Sequence, residues 1–329
     1  MSHATRLRRG LSAAAVAALT TGVALGLAGP AAAAEPNGSV QIDTRQLIVT
    51  GTNQADQIVL RVPVADPTLL EVDFGNDGTA DDTVKLADFG LLQVNSLAGS
   101  DDIRIDFGSQ VQPFTVVDTG AGDDVVAGGS GNELFRTGSG DDFVDGNRGT
   151  DTALLGDGYD AFAWDPGDGS DVIEGGRGTD RMLFNGSNGA ENFAATTNGS
   201  RLRFTRDVGA IVMDTDDVER VVLNALGGAD STTIDDLSST DVRTVDVDLS
   251  GPGGGGDDAT DSVTVNGTAG KDFVRVSGSG GIVNVNGLSP KVKITHAEPA
   301  DQLTVDTRAG NDTVDSHKLA PGTIGLTVI

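Results

Sequence analysis

Short runs in which every second residue is apolar recur along the chain, and such alternation is the mark of strands with one buried face. Leu47 to Val49, Ile58 to Val62, Val221 to Leu223, Val245 to Leu249, Val263 to Val265 and Leu303 to Val305 read in this way. Turn residues separate them, so the pattern predicts an all-β chain of short rungs.

Between Thr119 and Leu183 the pattern acquires a register of nine. Units begin at Thr119, Gly128, Thr137, Gly146 and Leu155, and after a two-residue insertion at Pro166 and Gly175. The fourth position is always glycine: Gly122, Gly131, Gly140, Gly149, Gly158, Gly169 and Gly178. The sixth is always acidic: Asp124, Glu133, Asp142, Asp151, Asp160, Asp171 and Asp180. The eighth is always apolar: Val126, Phe135, Val144, Ala153, Phe162, Ile173 and Met182. Three aligned columns define a repeat, whereas a preference of Gly and Asp for turns does not demand the same acid at the same place in every unit.

The repeat resembles the RTX (repeats-in-toxin, haemolysin-type) calcium-binding nonapeptide, Gly-Gly-x-Gly-x-Asp-x-apolar-x. Gly175 to Leu183 matches it at every defined position. Thr119, Thr137, Leu155 and Pro166 depart from it at position one, and Glu133 at position six. The resemblance covers about a fifth of the chain. It implies that each glycine-rich half is a turn and each apolar half a strand, two units making one coil of eighteen residues. Looser copies of the Gly-x-Asp element at Gly99 to Asp101, Gly228 to Asp230, Gly270 to Asp272 and Gly310 to Asp312 extend the expectation to both flanks.

Stacked coils would lie about 4.8 Å apart, bringing acids eighteen residues apart together. One column would carry Asp124, Asp142, Asp160 and Asp180, the other Glu133, Asp151 and Asp171. Like charges at that distance repel by about 1 kcal/mol per pair in water and by several at a protein-like dielectric. A divalent cation reverses the sign. Ca²⁺ takes six to eight hard oxygens, and glycine turns at Gly122, Gly140, Gly149, Gly158, Gly169 and Gly178 would add carbonyls to the carboxylates. Folding and calcium binding are then expected to be one event, with roughly five inter-coil ions as an upper bound. Extracellular calcium modules commonly bind at about 10⁻⁴ to 10⁻³ M, which would delay folding until after export.

Charge and composition narrow the partners. A formal charge of −27 opposes nucleic acid and anionic lipid and favours cations. With 47 glycines and 4% aromatic residues the interior must be thin and built from Val, Ile and Leu. The absence of cysteine excludes disulfides and thiolate metal sites. At the N-terminus Arg6, Arg8 and Arg9 precede an apolar run from Leu11 to Leu27 and the small-residue site Ala32-Ala33-Ala34. This reads as a secretory signal peptide cut after Ala34, so the mature protein is expected to be secreted, extracellular and not inserted in a membrane.

A search for catalytic chemistry finds no Gly-x-Ser-x-Gly elbow, phosphate-binding loop or zinc-protease helix, and His296 and His317 stand apart from any metal spacing. No enzyme is expected. Alternatives are a polysaccharide-acting hydrolase or lyase on the same scaffold, and an adhesin or matrix module whose partner is a cell-surface glycan or protein. Trp164, beside the insertion, either fills the gap that the insertion makes or stacks on such a ligand. Asp73 to Gly78 faintly resembles a different calcium loop but has Val84 at the twelfth place, and reads as a turn. The expected architecture is a right-handed parallel β-solenoid: signal 1–34, leader 35–39, divergent coils 40–118, a calcium β-roll 119–184 and further divergent coils 185–329.

Overall fold

Alternation sets the strands. Gln46–Thr50, Gln57–Arg61, Arg220–Asn224, Thr244–Asp248 and Gln302–Asp306 each bury their second and fourth residues and turn the others outward. The computed structural model describes residues 38–329, so the expected signal peptide and its cleavage site lie outside the described residues. Two 14-stranded sheets, dominated by parallel pairs, hold nearly all of the strands' backbone bonding. Among the described residues there are two 3-10 turns, Leu86–Asp88 and Val208–Ala210, and no helix long and apolar enough to cross a membrane.

The nine-residue register becomes a strict alternation between the sheets. Phe114–Asp118, Glu133–Ser139, Thr152–Gly158 and Val172–Gly178 lie side by side in one sheet. Val125–Ala127, Phe143–Asp145, Ala161–Trp164 and Arg181–Asn185 lie side by side in the other. Pairing is parallel, Val126 with Val144, Val144 with Phe162 and Phe162 with Met182. The eighth-position residues are therefore stacked, and all seven are fully buried. They join one continuous core drawn from both sheets, in which each Val, Leu or Ile contributes about 1.5–3 kcal/mol by leaving water.

The flanks depart from a purely parallel ladder. Asn192–Asn198, Arg201–Arg206 and Ile211–Asp216 form an antiparallel meander within one sheet. Phe273–Ser279, Ile282–Asn286 and Lys291–Thr295 form another within the second. Each meander adds two strands to its own sheet, and together they keep the sheets equal in strand number. Both sheets continue without a break through the boundaries expected at 118/119 and 184/185.

The two-residue insertion is filled from within. Trp164 is fully buried, stacks on Phe184 at 4.1 Å with the rings 2° from parallel, and donates its indole N–H to the Gly169 carbonyl at 2.7 Å. Phe193 and Phe204 complete the cluster. The ring offers no face to an external sugar.

Candidate metal centre

The sixth-position acids lie at the turns entering the strands, and each reaches along the stack. The backbone N–H of Asp124 donates to Oδ1 of Asp142 at 2.9 Å, that of Asp142 to Asp160 at 2.8 Å, and that of Asp160 to Asp180 at 2.8 Å. In the other column Glu133 donates to Asp151 at 2.8 Å and Asp151 to Asp171 at 2.9 Å. The two columns read from the sequence are thus two ladders of N–H···carboxylate bonds between alternate units of the repeat. One oxygen of each acceptor aspartate is already committed to the fold.

The ladder runs beyond the repeat block. Asp56 donates to Asp101, Asp101 to Asp124, and Asp180 to Glu219. A separate run links Glu191, Asp230, Asp261 and Asp301, and a further rung joins Asp272 to Asp312. Of these acids, Asp56, Glu191, Glu219, Asp261 and Asp301 escape a search for Gly-x-Asp. Asp261 follows Ala259-Thr260 and Asp301 follows Pro299-Ala300. The signal they share with the repeat is an acid placed immediately before an alternating strand, as in Asp261-Ser262-Val263-Thr264-Val265.

The second oxygen divides the acids into two kinds. Glu133 has both oxygens occupied, one by Gln112 Nε2 and the other by the Gly129 N–H. Thr52 closes Asp56, and Thr268 closes Asp272. Glu191, itself buried, receives Arg206, which is only 6% exposed, together with the Ser187 N–H. By contrast, Oδ2 of Asp101, Asp124, Asp142, Asp151, Asp160, Asp171, Asp180 and Asp230 is buried with no protein partner. An ionised carboxylate with one oxygen in that state is costly, and such a group demands a cation, a proton or a donor.

Burial accordingly pushes these acids upward, and neighbouring carboxylates add to most of the shifts. Asp124, Asp142 and Asp180 rise to about 6, and Asp160 and Asp171 to about 7. Asp151 and Glu133 are also raised by burial, with the Glu133 charge the next contribution at Asp151. The exposed Asp123 and Asp141 crowd the first column further, each accepting a backbone N–H from two units further on, from Asp141 at 2.9 Å and from Tyr159 at 3.0 Å.

The glycines act chiefly in stacking. A β-carbon on Gly140, whose φ is +131°, would lie 2.0 Å from the Gly122 carbonyl oxygen, and one on Gly158 would lie 1.8 Å from that of Gly140. Gly122, Gly149, Gly169 and Gly178 meet the preceding turn in the same way. These fourth-position carbonyl oxygens lie against the fourth-position glycine two units further on. The threonines that replace glycine at position one have their own ladder, Thr119 Oγ1 donating to the Thr137 carbonyl at 2.9 Å and Thr137 Oγ1 to that of Leu155 at 2.7 Å.

The donor set is hard oxygen, and the orphaned buried Oδ2 atoms fit a divalent cation such as Ca²⁺ in kind. Among the described residues no group of three His, Cys, Asp or Glu side chains gathers as a metal cluster. An ion on these columns would therefore take one or two carboxylates, with turn carbonyls or water completing the shell. Asp73 is not such a ligand, because Arg61 and the Asp77 and Gly78 N–H groups occupy it. His296 pairs with Asp248 and His317 with Asp315, both histidines being exposed. No protein-family model and no curated protein matches the chain.

Proposed function

We propose that this is a secreted calcium-binding protein of the RTX kind, a right-handed β-solenoid whose repeat block completes its folding by taking up Ca²⁺ outside the cell. The observation that carries the reading is the row of buried, partnerless carboxylate oxygens on Asp101, Asp124, Asp142, Asp160 and Asp180, together with a second row on Asp151 and Asp171. Asp124, Asp142, Asp151, Asp160, Asp171 and Asp180 would hold the ions, and Glu133 drops out because its oxygens are both taken. Calcium would supply, at these hard carboxylate oxygens, the positive charge that the protein does not provide there. The Glu191–Arg206 pair supports the same logic, since a guanidinium there supplies the cation from within the chain.

The biological role that follows is a stable extracellular scaffold with outward-facing sheet surfaces for a cell-surface partner. Isothermal titration of the full chain with Ca²⁺, with Mg²⁺ as competitor and at physiological salt, tests the reading. Saturable Ca²⁺ uptake that Mg²⁺ does not displace supports it. Absence of saturable uptake, with the same circular dichroism in chelator and in calcium, would remove it.

A further inference from the structure

The eighth orphaned oxygen lies outside the repeat block. Asp230 is 2% exposed and its Oδ1 accepts the Glu191 N–H at 2.8 Å, leaving Oδ2 buried and unpartnered. Its own N–H donates to Oδ1 of Asp261 at 2.8 Å, and the Asp261 N–H to Asp301 at 3.0 Å. The glycine-rich loop Gly251 to Asp258 brings Asp257 to the same corner, where its carboxylate accepts the Gly228 N–H at 2.8 Å. Asp261, Glu191 and Asp257 all work against the charge of Asp230.

No ion pair reaches Asp230, Asp257 or Asp261 among the described residues. The basic group nearest in the ladder, Arg206, is committed to Glu191 and to the Val208 carbonyl. Arg206 thereby supplies a cation to the first acid of this separate run, and Asp230, one rung later, has an unpartnered oxygen and no built-in cation.

We propose that the turns carrying Asp230 and Asp261 form a second divalent-cation site, selective for a hard ion of the Ca²⁺ type and separate from the repeat block. It rests on the reading above that unpartnered ladder oxygens take up calcium. Asp230 Oδ2 is the anchoring ligand, a carboxylate of Asp261 or Asp257 is the second, and turn carbonyls or water fill the remaining positions.

The test is calcium titration calorimetry on the full chain and on Asp230→Asn, Asp171→Asn and the double variant. Asparagine retains an oxygen to accept the Glu191 N–H, and emission from buried Trp164 reports that each variant is folded. The inference expects Asp230→Asn to lose one calcium equivalent while the repeat-block equivalents remain, and the double variant to lose more than either single one. Unchanged stoichiometry in Asp230→Asn, with loss in Asp171→Asn, overturns the second site and leaves the repeat-block reading standing. Loss in Asp230→Asn with none in Asp171→Asn does the reverse. If Asp230→Asn does not fold, the paired substitution Asp257→Asn with Asp261→Asn, which removes both candidates for the second ligand, is read by the same criteria.

Discussion

The backbone N–H of Asp142 donates to Oδ1 of Asp160 at 2.8 Å, while Oδ2 of that same carboxylate is buried with no partner. A single side chain thus links two units of the repeat and leaves an unmet electrostatic demand beside them. Asp160→Asn keeps the acceptor and removes the charge. In chelator at pH 8 the variant is expected to be more stable than the parent by about 1–3 kcal/mol, and in millimolar Ca²⁺ less stable, as read from urea denaturation. The crossover distinguishes a cation site from a ladder that is merely structural.

Protons compete for the same demand, which fixes the sign of the pH dependence. Asp124, Asp142 and Asp180 near 6, and Asp160 and Asp171 near 7, all lie above the ordinary value of 3.8. The folded state then binds more protons than the unfolded chain. The contribution of these groups is fully present below about pH 4 and is lost as pH rises through 6 to 7. Thermal melts in chelator should give a lower midpoint at pH 8 than at pH 5, and calcium should restore it at pH 8. A midpoint independent of pH across that window would contradict this.

Gly140 and Gly253 form a matched pair. A β-carbon at Gly140 meets the Gly122 oxygen in a left-handed backbone, whereas nothing lies within 4 Å of the one at Gly253. Gly140→Ala should cost about 2–4 kcal/mol in denaturant melts, and Gly253→Ala should stay within about 0.5 kcal/mol of the parent.

Trp164→Ala removes a fully buried ring stacked on Phe184 and should destabilise by about 3–5 kcal/mol. The native emission should be blue-shifted and poorly quenched by acrylamide. Ready quenching of the folded protein would show that the ring is accessible after all.

The repeat block was legible because its chemistry recurs at fixed spacing: the buried eighth positions and both acid columns follow from counting nines. The antiparallel meanders were not, because Asn192–Asn198 and Phe273–Ser279 alternate just as a parallel rung does, and alternation carries no information about which neighbour a strand pairs with. Glu133 looked equivalent to its aspartates. Its difference comes from Gln112, whose side chain lies 21 residues away and contacts it only in the fold. Asp261 and Asp301 were hidden by insisting on glycine two residues earlier, when the constraint is an acid at the strand entrance.

The most direct measurement is the thermal midpoint of the full chain at pH 7.5, with 10 mM Ca²⁺ and with excess chelator. Sites binding at about 10⁻⁴ M contribute about 2.7 kcal/mol each at that concentration, so several occupied columns should raise the midpoint by ten degrees or more. Equal midpoints in calcium and chelator would mean that the orphaned carboxylates of Asp142, Asp160 and Asp171 are tolerated without a metal.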